Sequence, residues 1–91
     1  MANKKDLQEL YKTIVSLETE KDCEDFLEDL CTYKEVEQFS QRLKAAKLLL
    51  DGKTYEQVIA QTDISSATLS RVSKCIKHGK GYNKVLKNAK K

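Results

Sequence analysis

A chain of 91 residues, 40% apolar and 34% charged, has room for one small folded domain and is too apolar for a disordered tail. Its net charge of +3 hides a division: positions 1–40 carry 11 carboxylates against 5 lysines, and positions 41–91 carry 12 cations against 3 carboxylates. No apolar run approaches the roughly 18 residues of a membrane span, and none follows the lysines between Met1 and Asp6, so neither a span nor a secretory leader is expected and the chain is assigned to the cytoplasm.

Proline is absent and there are three glycines, which points to helices joined by short turns. The first helix is predicted from about Lys4 to Ser16, with a broad stripe of Leu7, Leu10, Tyr11, Ile14, Val15 and Leu17. The second runs from about Glu20 to Leu30, turning Cys23, Phe26, Leu27 and Leu30 inward. Thr32 and Glu35 fit a capping box that opens a third helix reaching about Asp51, with Val36, Phe39, Leu43, Ala46, Leu49 and Leu50 inward. Gly52 suits the left-handed position that ends it. Thr54 and Gln57 then open a short helix to about Gln61, with Tyr55, Val58 and Ile59 apolar. Ser65 caps the next helix, Ser66 to about Lys77, whose inner residues are Leu69, Val72 and Ile76. Gly79 and Gly81 end that helix, and a last one, about Tyr82 to Asn88, holds Val85 and Leu86. The fold class is therefore all-α, about six helices with a helix-turn-helix in the C-terminal half. The wide stripes on a small chain point to a homodimer.

Chemistry concentrates in Thr54–Lys77, TYEQVIAQTDISSATLSRVSKCIK, a helix, a short turn and a second helix. The second helix of such a unit enters the DNA major groove and offers its first residues to base edges, which requires small or polar side chains there. Ser65, Ser66, Ala67, Thr68 and Ser70 meet that requirement, and Ile64 and Leu69 would lock the two helices together. Arg71, Lys74 and Lys77 lie further along, and Lys53 precedes the unit; the lysines suit phosphates, while the fork of Arg71 suits guanine or phosphate. Ile59 and Asp63 depart from the small residue and the glycine common in such motifs. The basic half fits the same partner, double-stranded DNA, which the acidic half would avoid.

Three cysteines, Cys23, Cys31 and Cys75, make an odd count without a CxxC, so they are read as reduced thiols that mostly serve packing. Cys75 and His78 share a helical face, but two ligands do not make a zinc site, and no oxyanion site or phosphate loop accompanies them. No metal, cofactor or catalytic residue is assigned, and the chain is not read as an enzyme.

The helix order, Arg42, the Leu-Leu-Leu-Asp-Gly ending at 48–52 and the run Ser66-Ala67-Thr68-Leu69-Ser70-Arg71 together resemble the Trp repressor superfamily, in particular its YerC/YecD-type Trp-repressor-related proteins, over about residues 5–90. The resemblance implies an intertwined homodimer, with dimerisation helices in residues 1–51, the helix-turn-helix in 54–77, and a final helix and basic tail in 81–91. It also implies a DNA-binding regulator, a probable repressor acting at the nucleoid. The tryptophan-sensing member holds its ligand between two arginines, matched by Arg42 and Arg71, with a backbone contact matched by Thr32. The glycine that admits the ligand is Val72 here, and the serine that binds its amino group is Cys75. A valine crowds such a site and a thiol is a weak acceptor, which argues against L-tryptophan and leaves any other small-molecule corepressor open. Arg42 could equally be a charge partner of the acidic half. The competing function is a helical adaptor that recruits a protein through that half without specific DNA binding.

Overall fold

The computed structural model describes residues 3–89, and among these it contains six helices and no strand. They are α1 (Lys4–Val15), α2 (Glu20–Leu30), α3 (Tyr33–Leu50), α4 (Tyr55–Gln61), α5 (Ser66–His78) and α6 (Gly81–Ala89). No helix among them is long and apolar enough to cross a membrane. The chain divides into two compact units, Met1–Val36 and Glu37–Lys91, with the boundary inside α3. Lys90 and Lys91 of the expected basic tail lie outside the described residues.

Side-chain caps decide where the helices begin. Asn3 accepts from the Lys5 amide at 2.7 Å, and Thr19 from the Asp22 amide at 3.0 Å. Thr32 and Glu35 form the expected reciprocal box: the Glu35 carboxylate accepts the Thr32 amide at 2.8 Å, and the Thr32 hydroxyl accepts the Glu35 amide at 3.1 Å. The Thr32 amide first, and a hydrogen bond from the Thr32 side chain to the carboxylate second, hold the Glu35 carboxyl below its ordinary range. Thr54 and Gln57 make the second box, at 2.9 and 3.2 Å. Gly52 ends α3 at φ +92°, where a side chain would be strained.

Among its described residues, the first unit buries nothing fully. Leu7, Leu10, Leu17, Phe26, Leu27, Cys31 and Val36 are half-buried, while Tyr11, Ile14, Val15, Leu30 and Tyr33 are exposed. On α2, the Lys21 ammonium lies 3.1 Å from both Glu24 and Asp25, which raise its pKa.

The core belongs to the second unit. Ala45 and Ala46 of α3, Val58 of α4, Ile64 of the turn, Leu69 and Val72 of α5 and Leu86 of α6 form one buried cluster, and Leu48, Leu49, Leu50, Ile76 and Tyr82 pack against it. Several residues expected inward are instead exposed: Tyr55, Ile59, Phe39, Leu43 and Val85 have 40–63% of their surface open. A chain this short cannot cover every apolar face it makes. The thiols also differ from expectation, since Cys23 and Cys75 are exposed and only Cys31 is half-buried. Gly81 does not end α5; it is the first residue of α6.

Candidate nucleic-acid interface

The turn between α4 and α5 is held by two hydroxyls. Thr62 donates to the Val58 carbonyl at 2.8 Å, and its oxygen accepts the Ile64 amide at 3.3 Å, so one side chain ties the end of α4 to the turn. Ser65 accepts the Thr68 amide at 3.2 Å and donates to the Thr68 hydroxyl at 3.0 Å. Between them, Ile64 is buried in the cluster that holds Leu69. This apolar contact joins the two helices as the sequence predicts.

With about 100° of rotation per residue, the faces of α5 separate cleanly. Leu69, Val72, Ser73 and Ile76 form the covered side. Ala67, Arg71, Lys74 and His78 stand directly opposite, and all are exposed. Ser66, Ser70 and Lys77 flank this row on one side, also exposed. Thr68 and Cys75 flank it on the other, and Thr68 is half-buried with its oxygen already engaged by Ser65. The outward side is therefore small and polar at its start and cationic towards its end. Lys53 is exposed before α4, and Ser65 is taken up by its cap. His78 is the residue sequence reasoning left out of this row; its spacing of four from Lys74 and seven from Arg71 marks it.

Thr68 also borders a cleft of about 240 Å³ with Ser65, Asp63, Gln38, Gln41 and Arg42. The Arg42 guanidinium lies over the Phe39 ring, 5.9 Å from its centroid, and its Nε is buried without a hydrogen-bond partner. Gln38 and Gln41 were not singled out from the sequence, because nothing local to α3 shows that the turn at 63–65 comes to it.

A family model described as Trp repressor protein matches residues 5–90. The chain belongs to that family. It is 40% identical over 75 residues to the uncharacterized protein YerC of Bacillus subtilis (strain 168), covering 82% of this chain and 72% of that one. The crystal structure of a Trp-repressor-type protein from Staphylococcus aureus superposes with a TM-score of 0.92 at 35% identity, over 97% of this chain and 89% of the other. That of a TrpR like protein from Eubacterium eligens ATCC 27750 gives 0.90 at 34% identity, over 96% and 91%.

Of the residues matched to this family's ligand pocket, Arg42 and Cys75 border different depressions within the second unit. Arg42 borders the cleft beside Thr68, whereas Val72 is packed in the core at 2% exposure. Cys75 instead lines an apolar groove of about 520 Å³ with Leu43, Tyr82, Val85 and Leu86. Arg71 stands on the outward side of α5, and Thr32 lies in the first unit as a helix cap.

Proposed function

We propose that the protein is a sequence-specific DNA-binding transcriptional regulator, a repressor that acts as a homodimer on the nucleoid. The observation that carries this reading is the outward side of α5, where Ser66, Ala67 and Ser70 precede Arg71, Lys74 and Lys77. Small polar residues let a helix start approach base edges, and cations beyond them reach phosphates. Thr68 keeps a hydroxyl proton to donate, and its half-buried place gives it a smaller share of base contact than Ser66 or Ser70. Lys53 is the phosphate contact from the turn before α4. Membership of the Trp repressor family supports the same reading.

A dimer accounts for the apolar residues that one chain leaves open. Tyr11, Ile14, Val15, Leu30, Phe39, Leu43 and Val85 are each at least 42% exposed. A partner of the same sequence is the economical cover, because small chains commonly complete a core by association. For the ligand, Val72 and Cys75 in place of the sensor's glycine and serine argue against L-tryptophan in the arrangement the tryptophan sensor uses.

Selection of bound sequences from a random duplex pool at fixed salt tests the reading. Enrichment of a two-fold-related site is expected, with half-sites about one helical turn apart. Enrichment of no sequence would favour the adaptor, which rests on the exposed carboxylates Glu20, Asp22, Glu24, Asp25, Glu28 and Asp29 of α2.

A further inference from the structure

The last carbonyls of a helix need donors from outside it, and α5 obtains two. The Gly79 amide donates to the Cys75 carbonyl at 2.7 Å, so closely that a Cβ on Gly79 would stand 2.6 Å from that oxygen. The next carbonyl, Ile76, accepts from Asn83 Nδ2 at 2.7 Å. Asn83 lies seven residues on, in the first turn of α6, and is half-buried. One turn further, Leu86 is buried in the cluster that holds Leu69 and Val72, and Tyr82 packs against the same cluster. A polar strut and an apolar anchor thus tie α6 to the end of α5 opposite its base-facing start. The segment between the helices is Gly79 and Lys80, with Gly81 opening α6, so it carries little side chain to hold an angle.

We propose that Asn83 is a positioning residue for DNA reading: through the Ile76 carbonyl it splints α5 and keeps the outward row from Ser66 to Lys74 in register. The proposal rests on the DNA-binding reading above. Base contacts form together only when the helix is held to within about 10–20°, whereas phosphate contacts by long lysine side chains tolerate rotation. Losing the strut therefore costs preorganisation, which falls on specific binding and spares non-specific binding.

Asn83→Leu keeps the size of the side chain and removes its donor, and Asn83→His restores an N–H near the same point. Two measurements on the full chain decide the matter. Trypsin cleavage after Lys80, mapped by mass spectrometry, is expected to rise about tenfold in Asn83→Leu and to return towards the parent rate in Asn83→His. The ratio of affinities for the selected and a scrambled duplex is expected to fall about tenfold in Asn83→Leu, with scrambled binding changed by less than about twofold. Asn83→Ala takes the place of the leucine variant should circular dichroism show that variant unfolded. An unchanged cleavage rate, an unchanged ratio, or equal loss on both duplexes would overturn the proposal. A parent protein without sequence preference would sink the DNA-binding reading and the positioning role with it; the cleavage measurement then still reports whether the strut exists, so the two failures are told apart.

Discussion

Lys74 gives the sharpest test of how α5 meets DNA. It is exposed on the outward side, one turn beyond Ser70, with no ion pair among the described residues. Its removal should therefore disturb folding little and phosphate contact directly. Each phosphate neutralised on a duplex contributes about 0.9 to the salt slope of binding, and a dimer loses one contact in each half-site, so Lys74→Ala should lower the slope by about 1.8. Between 50 and 200 mM salt that difference amounts to about 12-fold: the variant should lose about 12-fold less affinity than the parent over this range. The change should be the same on selected and scrambled duplexes, because phosphates carry no sequence information. Ser70→Ala is the internal contrast. It should leave the slope alone and cost about 1–3 kcal/mol per half-site on the selected sequence only. Fluorescence anisotropy of both variants on both duplexes, at five or so salt concentrations, gives all four slopes. If Lys74→Ala leaves the slope unchanged on either duplex, α5 does not lie along the backbone as proposed, and the outward row is not the DNA surface.

Ser65→Ala removes the oxygen that accepts the Thr68 amide and should lower stability by about 1 kcal/mol in urea unfolding; a change below a few tenths would mean that solvent caps α5 equally well. Glu35, with its pKa below the ordinary value of 4.5, stabilises the start of α3 fully above that pH and loses its contribution as pH falls through the lower folded value. Glu35→Gln keeps the capping box without the titration, so its melting temperature should fall less than the parent's between about pH 5 and pH 3, and parallel curves would refute this role. Sedimentation at micromolar concentration should give about twice the chain mass of 10.4 kDa, and a folded monomer would contradict the dimer. Calorimetry with L-tryptophan should show no micromolar binding, about −8 kcal/mol, because Val72 and Cys75 stand where the tryptophan-sensing member has a glycine and a serine.

The helices and their caps were legible because each is written within four or five residues. Thr32 with Glu35, Thr54 with Gln57, Ser65 before Ser66 and Gly52 after Leu50 all appear where local rules put them. Stripes were legible too, but a stripe states only that a face needs cover. Phe39 and Leu43 satisfy the pattern of α3 as well as Ala46 does, yet of these three only Ala46 is buried. Alanine ranks low on apolar scales, yet Ala45 and Ala46 are both fully buried in the core cluster.

What escaped the sequence is what depends on residues far apart meeting. Val72 and Cys75 are three apart on one helix and both match positions of the family's ligand pocket. The 60° of rotation between them is enough to send Val72 into the core and Cys75 to the groove against α6, while Arg42 meets the turn at Asp63 to Thr68. His78 was legible by spacing and was passed over because it was weighed as a ligand beside Cys75 rather than as the next member of the row from Ala67. Asn83 had no local signal at all, since an asparagine in the first turn of a helix ordinarily serves its own backbone. Its bond to the Ile76 carbonyl joins two helices, and Leu86 of the same helix is buried in the core they share. Local rules therefore name the row on α5 that we propose reads DNA, and the contacts at the far end of that helix come from α6, which no local rule joins to it.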